Sequence, residues 1–322
     1  MSHPLPSERL RALPRAPLLG APTPIDRLER FEKAIDSPGP IFIKRDDAIP
    51  FGFGGNKVRK LELVMAKAVQ EGADSVITCG GVQSNHCRAT AAAAARLGLQ
   101  CHLVLSGGAP AALSGNTRLD EIFGAKLHFV PDRIDRNPAM TSLDAALRAE
   151  GRKPMVIPLG ASTPLGASGL ALAVFEMVDQ GHRPDVIIHA SSSGGTQAGL
   201  LAGIVLAGLE TRVIGISADE SEARLTSTVE ELERGVLDLA GSTAPIAPAE
   251  ASDLFVGEGY GVPTEGSREA MNLLARTEAI IVDHTYTAKA LSGLVALVRD
   301  RSFKEDSSVL FWHTGGQVGV LA

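Results

Sequence analysis

Short runs of β-branched and aliphatic residues, each followed by a longer helix-period run, recur along most of this chain. Residues 41–45, 75–79, 102–105, 126–130, 155–157, 185–189, 212–216 and 308–311 are the strand candidates. Helix-period segments lie at 57–71, 88–97, 116–123, 141–150, 169–180, 198–209, 220–234, 267–276 and 287–299. Apolar strands with helices between them demand a parallel sheet covered on both faces. The expected fold class is therefore α/β, with parallel-rich sheets covered by helices. Residues 1–40 read as an irregular arm, with Thr23-Pro24-Ile25 turning into a short helix near 26–31.

The 322 residues suffice for one large or two medium domains with ample core. A hydrophobic share of 44% against 21% charged residues describes a globular chain, not a disordered one. The net charge of −6 and the lack of an arginine-rich arm give no reason to expect nucleic acid as a partner. The longest apolar run, 198–209, falls short of the roughly 20 residues that span a bilayer, so no membrane is expected. Cys79, Cys87 and Cys101 are odd in number and form no C-x-x-C, as suits free buried thiols in a reducing cytoplasm. Residues 1–15 are proline-rich without an apolar core, so no signal peptide is expected and the location reads as cytoplasmic. The eight histidines show neither H-E-x-x-H nor H-x-H spacing, so no metal is expected. His102 and His128 fall in strand candidates and read as structural.

Four stretches carry chemistry. Gly54-Gly55-Asn56-Lys57-Val58-Arg59-Lys60 places a lysine at a glycine-lined helix start, where the positive end of the dipole disfavours a second cation. That field pushes Lys57 toward the neutral, nucleophilic amine; the plain alternative is a solvated lysine. Ser191-Ser192-Ser193-Gly194-Gly195-Thr196 joins a strand to an apolar helix, as in an anion cradle built from amides and hydroxyls. No G-K-[ST] follows it and no G-x-G-x-x-G opens the first strand–helix turn, so neither ATP nor a dinucleotide is indicated. Ser84-Asn85-His86 opens another helix, where Ser and Asn also serve as plain caps. The only two tyrosines, Tyr260 and Tyr286, sit in a glycine-rich loop and beside a helix start; tyrosine is more often a packing residue.

Taken together, Gly54 to Lys60, Gln83 to His86, Gly194 to Gly199, Tyr260 to Pro263, Asp283 to Lys289 and His313 to Gly316 resemble one family. It is the fold-type II pyridoxal-phosphate enzymes that group D-cysteine desulfhydrase with 1-aminocyclopropane-1-carboxylate (ACC) deaminase, and the match runs from about Thr23 to the end. The resemblance implies two α/β domains with the cofactor between them. Residues 1–56 and 166–322 would form the larger, and 57–165 the smaller, inserted one. It implies that Lys57 bonds covalently to pyridoxal 5′-phosphate, and that Lys60, Ser193, Gly194, Gly195 and Thr196 hold the phosphate. Asn85 would lie against the ring, and Thr287 would face its nitrogen, with Thr314 near the cofactor. Ser84 and His86 would meet a small amino-acid substrate, with Ser84 also assisting proton transfer. Tyr260 and Tyr286 would face the substrate and act on it.

In this resemblance ACC deaminases differ at three places. They carry glutamate where Thr287 stands, leucine where Thr314 stands and glutamine where His86 stands. All three positions lean toward D-cysteine desulfhydrase, a β-elimination giving pyruvate, hydrogen sulfide and ammonia. Threonine at the ring nitrogen is a weaker partner than a carboxylate, which suits a good leaving group better than ring opening. L-cysteate, releasing sulfite, is the alternative substrate; ACC deamination and a non-catalytic cofactor carrier are further readings. The family also implies a homodimer. Cys87 and the short end after Gly316 depart from the family pattern.

Overall fold

The computed structural model describes residues 4–322. Chain order runs α1 (Pro6–Arg11), β1 (Ile25–Arg27), α2 (Glu29–Ala34), β2 (Ile41–Arg45), α3 (Lys57–Gln70), β3 (Ser75–Gly81), α4 (Asn85–Leu97), β4 (Gln100–Ser106), α5 (Gly115–Ile122) and β5 (Lys126–Val130). It continues through α6 (Arg136–Ala149), β6 (Pro154–Val156), α7 (Pro164–Asp179), β7 (Val186–Ser191), α8 (Gly195–Ala207) and β8 (Arg212–Ser217). The last elements are α9 (Glu222–Leu239), β9 (Glu250–Ser252), α10 (Glu265–Glu278), α11 (Thr287–Arg299) and β10 (Val309–His313).

The strands form two sheets. The larger has the order β1-β2-β10-β7-β8-β9 and is parallel apart from β1, which pairs antiparallel with β2. The smaller has the order β5-β4-β3-β6 and is wholly parallel. The alternation of apolar strands and helices thus gives the α/β fold that it implies. The arm is less irregular than its composition suggests. Residues 6–11 are helical, residues 25–27 are a strand where the end of a turn and the start of a helix were expected, and the short helix runs over 29–34 instead of 26–31. Helix α6 begins at Arg136 rather than at residue 141, which carries that arginine into the cleft described below.

Helix α8 is buried along Gly195–Ile204, as its unbroken apolar sequence requires. It packs on α7 through small residues. A Cβ placed on Gly199 would lie 2.1 Å from the Ala167 carbonyl oxygen, so only glycine lets the two backbones approach. Gly199→Ala is expected to cost roughly 1–3 kcal/mol in urea unfolding; an unchanged midpoint would show that α7 and α8 separate freely.

A buried ion network ties α3, α7 and the larger sheet together. Arg59 donates through Nε to Asp46 Oδ1 at 2.9 Å, and through Nη1 and Nη2 to Glu176, both at 3.0 Å. Lys44 Nζ donates to Glu176 Oε1 at 2.6 Å, and Trp312 Nε1 to Asp46 Oδ2 at 2.8 Å. Lys44, Asp46 and Trp312 are fully buried, and Arg59 is 3% exposed. The network begins two residues after Lys57 and fixes the first turn of α3 from behind.

Candidate active site

Parallel strands deliver their carboxyl ends to one edge, and the loops that follow become available for ligands. Here both sheets aim that edge at a shared cleft. The smaller sheet supplies Gly80 and Gly81 at the end of β3, and Arg133 beyond β5. The larger supplies Ser192 and Ser193 after β7, and Asp219 after β8. Lys57, Ser84, Asn85, His86, Ser193, Tyr260 and Tyr286 all line this cleft. Lys60, Gly194, Gly195, Thr196, Thr287 and Thr314 are not among its lining residues.

Lys57 is the first residue of α3. Burial pushes its amine down to about 8, against an opposing pull from Asp283. Desolvation therefore does what the sequence alone assigned to the helix dipole. The one hydrogen bond of its Nζ runs to Asn56 Oδ1 at 3.3 Å.

Behind Lys57 lies the cradle. Gly194 caps α8 with φ +75°, a conformation that favours glycine. Ser193 Oγ meets Ser162 Oγ at 2.8 Å, and Lys60 Nζ donates to Ser162 Oγ at 3.2 Å and to the Gly160 carbonyl at 3.3 Å. Thr196 Oγ1 accepts from Asn56 Nδ2 at 2.9 Å. Lys60 is fully buried, and its bonds in the structure go only to neutral oxygens. Burial and the nearby Lys57 hold its amine well below the ordinary lysine range. An anion seated among Lys60, Ser162, Ser193 and the start of α8 would relieve that cost. A phosphate monoester beside an amine of lowered pKa fits this donor set.

Ser84 caps α4, its Oγ accepting the Cys87 N–H at 3.3 Å, so the capping reading holds while the hydroxyl proton stays free at the cleft. Asn85 Oδ1 accepts from Asn116 Nδ2 at 3.1 Å. His86 Nε2 lies 2.8 Å from Thr78 Oγ1, whose single proton goes to the Ile157 carbonyl. The network thus assigns the His86 proton to Nε2 and leaves Nδ1 a bare, buried acceptor. Burial, with Lys57 and Lys60 nearby, keeps this imidazole neutral.

Tyr260 and Tyr286 meet hydroxyl to hydroxyl at 2.6 Å, with ring planes 77° apart. Burial raises both phenols, Tyr260 to about 12, so both keep their protons at neutral pH. Lys289, three residues along from Tyr286, holds the loop that carries Tyr260. Its ammonium donates to the carbonyls of Gly259 at 2.7 Å, Val256 at 2.8 Å and Ala218 at 3.3 Å.

Thr287 is tied into the turn that opens α11. Its hydroxyl donates to Asp283 Oδ1 at 2.6 Å and accepts the Asp283 N–H at 2.8 Å. A hydroxyl closed on a carboxylate in this way is spent on the turn into α11 and has no proton for a ring nitrogen. The Thr314 carbonyl accepts the Asn56 N–H at 3.1 Å, which sets Thr314 beside Lys57 with its side chain half-buried.

Arg133, Arg136, Ser162 and Asp219 also belong to this region and carry no local motif. Arg133 and Arg136 follow a short strand in an aperiodic stretch. Ser162 lies far in sequence from the serine run that it joins.

A lysine poised as a nucleophile over a phosphate-sized cradle, between two parallel sheets, defines an enzyme that holds a phosphorylated aldehyde cofactor. The profile described as "Pyridoxal-phosphate dependent enzyme" matches residues 17–315, and the chain belongs to that family. A crystal structure described as an ACC deaminase homologue superposes with a TM-score of 0.91 at 35% identity, covering 99% of this chain and 97% of that one. Threonine deaminase isoform 2 from Solanum lycopersicum superposes with a TM-score of 0.71 at 17% identity, covering 97% and 88%. A fungal L-serine ammonia-lyase from Rhizomucor miehei gives 0.69 at 20%, covering 94% and 96%. The last two share the fold, that of the fold-type II pyridoxal-phosphate enzymes, within which the chain lies close to the ACC deaminase and D-cysteine desulfhydrase group. Among the described residues no group of His, Cys, Asp and Glu suits a metal ion, and no helix is long and apolar enough to cross a membrane. The three cysteines are free and buried.

Proposed function

We propose that this enzyme catalyses β-elimination on a small amino acid, with D-cysteine giving pyruvate, hydrogen sulfide and ammonia. The observation that carries this reading is the protonated Tyr260–Tyr286 pair, lining the same cleft as the amine of Lys57. One group suits proton removal at Cα, the other proton delivery to a leaving thiolate.

Pyridoxal phosphate, when bound, supplies the electron sink that makes the Cα proton removable. Lys57 would hold it covalently. Lys60, Ser193, Gly194, Gly195 and Thr196 would seat its phosphate, with Ser162 added to the set. Asn85 would support the ring, and Thr314 would take the place first given to Thr287. The free Ser84 proton would donate to the substrate carboxylate at the start of α4, where the helix dipole also favours an anion. His86, neutral and unpaired at Nδ1, would accept from the substrate. Lys57, once displaced by the substrate amine, would take the Cα proton, and Tyr260 or Tyr286 would protonate sulfur as it leaves. Residues 57–165 would act as a smaller domain able to close on the larger and exclude water.

The test offers purified, cofactor-loaded enzyme D-cysteine, L-cysteine and ACC in parallel. Pyruvate and sulfide from D-cysteine are expected. α-Ketobutyrate from ACC, with D-cysteine inert, would replace this reading by ring-opening deamination.

A further inference from the structure

Arg88, on α4, is a buried cation that stands outside the cleft: it is 1% exposed and is not among the lining residues. Its Nη1 donates to the Gly52 carbonyl, and its Nη2 to the Gly54 carbonyl at 3.1 Å. Both carbonyls belong to the loop that runs into Lys57. Gly52, Gly54 and Gly55 have φ of +55°, +70° and +99°, so the chain has wide freedom there unless it is held from outside. Two amides of the loop are held by main chain: Gly55 N–H donates to the Asp46 carbonyl at 2.8 Å, and Asn56 N–H to the Thr314 carbonyl at 3.1 Å. Arg88 holds the carbonyls. Ala92, one turn further along α4, closes on the same loop, since a Cβ built on Gly52 would lie 2.8 Å from the Ala92 Cβ.

The cation has an acidic neighbour and does not bond to it. Asp120, on α5, is fully buried, and both its carboxyl oxygens lack a hydrogen-bond partner. Burial raises this carboxyl to about 8, with Arg88 pulling the other way. Burial likewise lowers Arg88 to about 10, opposed by Asp120. The thiols of Cys87 and Cys101, held up mainly by burial, are the other titratable groups that feel Asp120. A guanidinium so deeply buried is costly unless its donors are met. Nε of Arg88 has no partner, and the donors that are met all run to the lysine loop. A planar fork suits two carbonyls two residues apart in a way that a single ammonium does not.

We propose that Arg88 is a positioning residue for Lys57: its fork sets the course of the glycine loop, and the loop sets the buried place of the lysine amine. Asp120, which makes no bond to the fork, leaves it to the loop. This rests on Lys57 as the residue that holds the cofactor, and not on which substrate is eliminated. The amine is reactive near neutral pH because it is desolvated. Desolvation lasts only while the loop keeps Lys57 in its place at the head of α3. A loop released at Gly52 and Gly54 admits water to the amine and returns it toward an ordinary lysine. Arg88 thereby sets the pH at which Lys57 becomes a nucleophile, without touching cofactor or substrate.

The test follows covalent loading of pyridoxal phosphate by visible absorbance, as a function of pH, in the apo forms of wild type, Arg88→Met, Arg88→Lys and Asp120→Asn. Thermal unfolding of each shows that it is folded. In wild type the rate should level off above about 8. In Arg88→Met the midpoint should rise by about one pH unit or more, toward the ordinary lysine value near 10.4, and the rate at neutral pH should fall on the order of tenfold. Arg88→Lys should recover part of the loss, and Asp120→Asn should leave the midpoint in place. An unmoved midpoint in folded Arg88→Met would overturn the assignment. An equal rise in Asp120→Asn would overturn it too, because the shift would then report the charge balance of the core and not the loop. Should Arg88→Met not fold, the doubly neutral Arg88→Met/Asp120→Asn chain carries the same comparison. Loading that survives Lys57→Ala would retire this inference together with the covalent role of Lys57. Loading through Lys57 without elimination from any amino acid, but with the Arg88→Met shift, would retire β-elimination and keep the role of Arg88.

Discussion

Lys57→Ala is expected to abolish the visible absorbance of bound cofactor and to lower turnover on the order of 10³-fold or more. The loss is large because two functions share one atom: covalent attachment and proton transfer at Cα. Lys57→Arg should fail equally, since a guanidinium keeps its proton in any accessible range. Lys60 should not substitute, because it does not itself line the cleft and its amine is bonded to Ser162 Oγ and the Gly160 carbonyl. In the apoenzyme the amine at about 8 predicts that the rate of covalent cofactor loading rises with pH and levels off above about 8. Retained absorbance and activity in Lys57→Ala would remove the basis of the functional reading.

Arg59→Met is expected to destabilise the protein by about 3–5 kcal/mol, because it strands Asp46 and Glu176 without their principal cation. Burial alone would raise Glu176, but Arg59 and Lys44 overcome it and hold the carboxylate down to about 2. A carboxylate with a depressed folded pKa stabilises above its unfolded value, near 4.5, and loses that contribution as pH falls through about 2. The wild-type unfolding free energy should therefore fall by on the order of 3 kcal/mol from this group between those limits. In Arg59→Met the slope should flatten. Denaturant unfolding at several pH values checks both, and a cost under about 1 kcal/mol at neutral pH would show that the network relaxes around the gap.

The long periodic elements were the most legible part of the sequence. Residues 287–299 and 126–130 were delimited as they occur, because each has a sharp turn signal at its edges. The three-residue strands β1 and β9 were not, since so short a run has no periodicity and their pairing is supplied by neighbours distant in sequence. The site followed the same division. Lys57, Ser84, Asn85, His86 and Ser193 each sit at a strand–helix turn, where local composition announces them. Arg136 has only long-range reasons to be where it is: β5 must pair with β4, and α6 must then start at the cleft. The hydrogen bonds of the Thr287 hydroxyl to Asp283 belong to the turn into α11 and were not legible in the motif.

The ammonium of Lys289 has a consequence for the medium in which the enzyme works. Three main-chain carbonyls converge on it, an arrangement equally suited to a dissolved alkali ion. Here the cation is tethered to the same helix that presents Tyr286. The loop bearing Tyr260 is therefore expected to keep the same shape in potassium and in sodium buffers, with turnover equal in the two.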